Sequence, residues 1–253
     1  MSQIQVTLLG TNGWFDTHTG NTPSVLVQAP DFDVILDAGY GFAKLDRFIR
    51  GDRPAFCFLS HFHLDHLIGL HTLAKYQFQH GLTIIGQPGT KWALDSLLSP
   101  VYSVPLTGLR YPVHIVETQP GWIEGLPFEA QALPLIHSQP CFGYRLQIAG
   151  KTLAYCTDTG YCENAVKLAR QADLLLTECS QAPGTPHNDE WPHLSPTEAA
   201  RIAREAEARQ LVLIHFDPTQ YPSLEDRIHA ETEARKVFSS VTAGRDEMQF
   251  TLA

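Results

Sequence analysis

No stretch of this sequence is apolar for anything near the ~20 residues a helix needs to cross a bilayer, so a membrane-spanning role is not expected. Basic blocks are also missing. Lysine and arginine together number 18 against 27 acidic residues, a formal charge of −9, which weighs against a broad nucleic-acid footprint. The five cysteines, an odd number without paired-motif spacing, argue for a reduced, cytoplasmic setting rather than a disulfide scaffold. Cys57 and Cys156 lie in apolar runs and are expected to pack as small core residues. The opening residues enter a strand pattern at once and carry no basic segment, so no signal peptide is expected. Linkers, low-complexity tracts and short repeats are absent as well, which favours one domain over residues 1–253.

What is present is an ordinary globular composition, 43% hydrophobic and 18% charged, with the unusual addition of twelve histidines. A domain of this length buries roughly 70–75% of its extended-chain surface, enough for a substantial core. Strand patterns cover residues 4–9, a hairpin pair at 24–28 and 33–36, and apolar runs at 54–60, 82–85, 113–116 and 128–133. A second hairpin, 142–148 with 152–156, turns at Ala149-Gly150; further strands are expected at 174–177, 211–214 and 248–252. Helical patterns fall at 44–50, 67–79, 92–98 and 224–237. Ser195-Pro196-Thr197-Glu198 reads as a capping box ahead of an alanine-rich helix over 199–208. Strands followed by helices in the second half, and strands in excess in the first, predict two stacked sheets with helices outside.

The chemistry concentrates in Ser60-His61-Phe62-His63-Leu64-Asp65-His66, four potential metal ligands directly behind an apolar strand. In an extended segment His61 and His63 project to the same side. Asp65 and His66 open the next helix, where a carboxylate favours the positive end of the dipole. Three more candidates stand at or near strand ends: His137, Asp158 and His215. A lone histidine in such a place is more often a satisfied core or surface residue; the order of all seven carries the argument. His18, His71, His80, His114 and His229 read as solvated or capping residues. His187 and Trp191, ahead of His193, either border a pocket or belong to a plain surface loop.

That order, His-x-His-x-Asp-His followed by a single His, a single Asp and a last His, resembles the metallo-β-lactamase superfamily over nearly the whole chain. The resemblance implies a four-layer αβ/βα sandwich with two divalent metal ions at the sheet edge. His61, His63 and His137 would hold one ion and Asp65, His66 and His215 the other, with Asp158 bridging. Imidazole and carboxylate ligands without thiolate suit zinc, with manganese or iron as alternatives. The local context is similar to ribonuclease Z and related phosphodiesterases. Gly10-Thr11-Asn12-Gly13 resembles their opening turn, and Leu36-Asp37-Ala38-Gly39 their second motif. Asp37 would then fix a ligand histidine, although an aspartate capping a turn reads equally well. His193 resembles the family's catalytic histidine, and Glu178 the acidic residue that orients it.

Transfer-RNA-processing ribonuclease Z commonly carries a basic arm between the single His and the bridging Asp. Here a short hairpin joins His137 to Asp158. The resemblance therefore points to armless relatives cleaving small or cyclic phosphodiesters, a small-molecule substrate rather than nucleic acid, and by likeness alone a homodimer. By that resemblance two such ions would lower the pKa of a shared water, Asp65 would accept its proton, and His193 would protonate the leaving alkoxide. The same centre also suits a carbonyl substrate such as a lactone, thioester or β-lactam. The remaining alternatives are tRNA 3′ processing and a metal-binding protein without catalysis.

Overall fold

The computed structural model describes residues 3–186, 188 and 190–253; His187 lies outside the described residues. The alternating and fully apolar runs sort into two seven-stranded sheets. In the first, β1 (Ile4–Gly10), β2 (Ser24–Gln28), β3 (Asp33–Leu36), β4 (Ala55–Phe58), β5 (Leu82–Gly86) and β6 (Val113–Glu117) follow one another across the sheet. The C-terminal β14 (Gln249–Leu252) closes the other edge beside β1. The second sheet runs from β7 (Gly121–Ile123) through β8 (Glu129–Pro134), β9 (Phe142–Ile148), β10 (Lys151–Cys156), β11 (Leu174–Glu178) and β12 (Leu211–Ile214) to β13 (Val241–Ala243). Both expected hairpins are present, β2–β3 and β9–β10 pairing antiparallel.

Strand periodicity decides which side chain meets which layer. Val6, Leu8, Val25, Val27 and Leu36 of the first sheet meet Tyr144, Leu146, Leu176, Val212 and Ile214 of the second in a shared core. The alternate residues point outward. Leu26, Ile35 and Cys57 are covered by Phe42, Leu70 and Leu94, while Ala154, Leu175 and Leu213 are covered by Leu168, Ala199 and Ala230. Central strands such as β3, β11 and β12 are buried along their whole length because both faces are covered. The result is the expected αβ/βα sandwich.

The helices are α1 (Leu64–Leu67), α2 (Thr90–Leu97), α3 (Glu163–Ala169), α4 (Pro196–Glu205) and α5 (Leu224–Arg235). The capping box forms: Ser195 Oγ accepts from the Glu198 backbone N–H while Glu198 Oε2 accepts from Ser195 N at 2.9 Å. The helix expected over 67–79 is different. It is one α turn followed by a tighter 3-10 segment, Ile68–Lys75. Gly69 lies against the 38–39 turn, where its N–H donates to Ala38 O and a Cβ would come within 2.2 Å of Gly39 O. Thr72 Oγ1 also takes the Gly69 carbonyl, competing with the α-helical bond. The helix expected over 44–50 is likewise a 3-10 segment, Tyr40–Arg47. Strands β7 and β13 and helix α3, of 3, 3 and 7 residues, are too short for periodicity to reveal them.

The parallel strands β3, β4, β5 and β6 share one direction, as do β10, β11, β12 and β13. Asp37 follows β3, His61 and His63 follow β4, Asp158 follows β10, Glu178 ends β11 and His215 follows β12. All therefore stand at the carboxyl ends of strands, the edge where layered α/β folds bind ligands.

Candidate metal centre

Three of the residues that leave these strands do so with a positive φ: Asp37 at 55°, Asp158 at 50° and His215 at 54°. Such residues turn the chain sharply while keeping the side chain at the strand end, and Asp and His tolerate that region better than most. All three are buried.

The seven candidate ligands converge in two groups. Donor atoms of His61, His63, His137 and Asp158 lie within 4.8 Å of one another, as do those of Asp65, His66 and His215. In the first group His61 Nε2 is 2.9 Å, and His137 Nε2 3.3 Å, from His63 Nδ1. In the second, His66 Nε2 lies 3.2 Å from His215 Nε2, with Asp65 Oδ2 at 3.4 and 3.5 Å from the pair. Asp158 straddles the two. Its Oδ2 is 3.1 Å from both His66 and His215, and its Oδ1 is 3.9 Å from His61 and 4.0 Å from His137.

Hydrogen bonds behind the rings dictate which nitrogens face the cluster. Ser60 Oγ gives its single proton to Asp37 Oδ2 at 2.7 Å, so it accepts from His61 Nδ1 at 3.0 Å. Asp37 Oδ2 also accepts from His66 Nδ1 and from Tyr155 Oη, each at 2.7 Å, and Oδ1 from the Ser60 N–H. Ser180 Oγ donates to the His215 carbonyl at 2.8 Å and therefore accepts from His215 Nδ1 at 2.9 Å. With Nδ1 protonated on His61, His66 and His215, each neutral ring presents a bare Nε2 to the centre. Asp37 is thus the carboxylate that orients a ligand-type histidine, and not only a turn residue.

Bare nitrogens facing each other across about 3 Å cannot satisfy one another. Positive charge between them resolves the conflict. Burial depresses the His66 and His215 pKa values, but the facing carboxylates outweigh it: Asp158, Asp65 and Asp37 hold His66 well above the ordinary histidine range, and Asp158 and Asp65 raise His215. His61 and His137 go the other way, His137 to about 4, because burial dominates over the attraction of Asp158. Burial disfavours the Asp65 charge, yet the imidazolium groups of His66 and His215 hold its carboxyl well below the usual range. A centre that draws protons onto two histidines and keeps two carboxylates ionised is chemically fitted to divalent cations, which displace such protons on binding. His137 Nδ1 is buried without a partner among the described residues.

Glu178 and His193 stand beside this cluster. Glu178 is fully buried and accepts from His193 Nδ1 at 2.8 Å and from the backbone N–H groups of Thr159, Ser180 and Leu194. Burial lowers the His193 pKa but Glu178 more than compensates, raising it to about 9. Its ring lies 6.1 Å from His215 and 5.5 Å from His137, and the half-exposed Trp191 is 5.3 Å away. Asp158, His193 and His215 also form a third group with metal-binding spacing.

His18, His71, His80, His114 and His229 are all exposed, and none is in the groups above. All five cysteines are buried and unpaired. Among the described residues no helix is long and apolar enough to cross a membrane. The sequence reading overlooked Ser60, Tyr155, Ser180 and the Trp14 N–H, which donates to Asp65 Oδ2 at 2.8 Å. Ser60 was legible in principle as the hydroxyl adjoining His61. Tyr155 was not, since an apolar strand context conceals where a phenol finds its partner.

A family model described as a beta-lactamase superfamily domain matches residues 33–216. Ribonuclease Z of Picosynechococcus sp. is 27% identical over 98% of this chain and 96% of the relative, in an alignment 316 positions long. The probable metallo-hydrolase YhfI of Bacillus subtilis is also 27% identical, over 93% of this chain and 94% of its own, in only 248 positions. The longer alignment reflects segments of ribonuclease Z without counterparts among the 253 residues here. The crystal structure of YhfI superposes with a TM-score of 0.82 at 24% identity, covering all of both chains. That of a diphosphatase from the PhnP family gives 0.73 at 18%, covering 100% of this chain and 98% of that one. Fold, strand-end placement and family match agree, and the chain belongs to the metallo-β-lactamase superfamily.

Proposed function

We propose that this protein is a dinuclear metal-dependent phosphodiesterase acting on a small or cyclic phosphodiester. His61, His63 and His137 would hold one ion, Asp65, His66 and His215 the other, and Asp158 both, zinc being the best match to this donor set. Ions held there supply Lewis-acid polarisation of the phosphoryl oxygens and activation of a water. Two carboxylates against two divalent ions leave a net positive centre, which favours an anionic phosphodiester over a neutral carbonyl substrate. The chain's own contribution is then proton handling. Glu178 keeps His193 protonated through Nδ1, and among the described residues His193 Nε2 has no partner, so that N–H is available to the leaving alkoxide. By the same resemblance Asp65 would take up the proton of the attacking water.

The observation that carries this reading is the buried Glu178–His193 pair: a charged proton donor beside the ligands, with its own carboxylate. The similarity to ribonuclease Z keeps tRNA processing as a second reading, but the β9–β10 hairpin that joins His137 to Asp158 turns tightly at Ala149-Gly150 and has no arm. A small substrate, a cytoplasmic setting and paired subunits complete the proposal. The test is elemental analysis, expected to find two ions per chain and fewer in His63→Ala, with parallel assays on linear and cyclic aryl phosphodiesters, a lactone and a thioester. A preference for the carbonyl substrates, or tight precursor-tRNA binding at physiological salt with accurate 3′ cleavage, would overturn it.

A further inference from the structure

Arg227, on α5, is among the largest fully buried side chains of the protein. A buried charge needs an explanation, because burial without a partner is costly. Among the described residues no carboxylate forms an ion pair with it; neutral acceptors surround it instead. Arg227 Nη1 donates to Thr11 Oγ1 at 2.9 Å and to Gly244 O at 3.3 Å, and Nη2 to Thr19 Oγ1 at 3.1 Å and to Asn12 Oδ1. Thr11 Oγ1 can accept because its own proton goes to Asp246 Oδ1 at 2.7 Å. The guanidinium also stacks over the Phe216 ring at 4.6 Å. Burial lowers the Arg227 pKa only to about 10, so the group stays charged at neutral pH.

The partners of Arg227 lead directly to one half of the metal centre. Phe216 follows His215 in the chain, its N–H donates to Thr11 O, and its carbonyl accepts from Gly13 N. Gly13 lies against the His215 imidazole so closely that a Cβ there would stand 2.5 Å from Cε1. The next residue, Trp14, with φ of 62°, gives its N–H to Asp65 Oδ2. The 10–14 turn therefore sets both His215 and Asp65, and Arg227 clamps that turn to Phe216. Among the described residues no hydrogen bond or ring contact joins Arg227 or the turn to His61, His63 or His137, which leave β4 and β8.

From this geometry we infer that Arg227 is a positioning residue for the Asp65–His66–His215 half of the centre alone, acting through the Thr11–Trp14 turn. The inference rests on the two-ion reading above. A planar fork with four neutral acceptors cannot be replaced by a single ammonium, so lysine restores the clamp only in part. In the other half His61 is held from elsewhere, by Ser60, whose hydroxyl is itself fixed by Asp37.

The experiment is a stepwise metal titration of metal-free protein with Co²⁺, followed by its visible absorption, and with Zn²⁺ against a competing chelator. Wild type, Arg227→Met, Arg227→Lys and Thr19→Val are compared, each with a urea unfolding curve. The expected result is that Arg227→Met weakens one of the two binding steps by 10-fold or more and leaves the other within about two-fold. Arg227→Lys and Thr19→Val should fall between; should Arg227→Met fail to fold, those two carry the test. Both steps weakening in parallel with stability, or neither changing, would overturn the inference while leaving the two-ion centre intact. A wild-type chain that binds no ion overturns the proposed function, and this inference with it.

Discussion

Asp37→Asn isolates the charge of the carboxylate that holds His66. Asparagine tolerates the positive φ of this position as aspartate does, so the backbone is not challenged. The carboxylate receives four protons: from His66 Nδ1, Ser60 Oγ and Tyr155 Oη on Oδ2, and from Ser60 N on Oδ1. With the amide oxygen kept in the Oδ2 place, three charge-assisted bonds become neutral ones and the new NH₂ faces the Ser60 N–H. Each neutralised bond loses about 1 kcal/mol, and a buried donor without an acceptor costs about 1–3 kcal/mol. Allowing for relaxation, the loss of stability is on the order of 3 kcal/mol. Loss of a carboxylate behind a ligand histidine typically lowers metal affinity by about 10–100-fold. The assays are urea unfolding of metal-free protein and a competition titration with zinc. Affinities within two-fold of wild type for both ions would refute the reasoning, showing that Asp37 anchors the fold without holding His66 in a ligating pose.

His193→Ala should keep both ions and the fold while kcat falls by about 10²-fold or more on a poor leaving group, and by less on a nitrophenolate; loss of an ion would instead make His193 a ligand. Asp33 is buried, and desolvation, opposed by Arg53, raises its pKa to about 6. Its folded pKa exceeds the unfolded value, so the protonated form favours the native state and stability falls as pH rises from about 4 to about 6. Asp33→Asn should therefore stabilise the protein by on the order of 2 kcal/mol at pH 7 and by almost nothing at pH 3.5; equal gains at both pH values count against this account. Ser195→Ala removes the capping box of α4 and should lower stability by about 1 kcal/mol in thermal melts, without changing ion content.

The strand runs and the seven candidate ligands were readable in order along the chain because each depends on local pattern. A fully apolar 211–214 can only be a covered strand, and His-x-His-x-Asp-His behind one is chemistry before it is packing. The helical signals at 44–50 and 67–79 misled because pattern reports which face is buried, not how tightly the turns wind. Gly69 against Gly39 O and Thr72 on the Gly69 carbonyl set that winding, and both are tertiary or competing contacts. The strand β13 is held by its parallel pairing with β12, so nothing within its three residues announces it.

Which nitrogen each histidine presents was beyond the sequence altogether. Ser180 meets His215 across 35 positions and Tyr155 meets Asp37 across 118. Arg227 reaches Thr11 across 216. A residue type can state what a side chain is able to donate or accept, but its partner is chosen by the packing of distant strands. The ligand candidates were therefore visible from local order, while the network that aims them exists only once the two sheets have closed on each other.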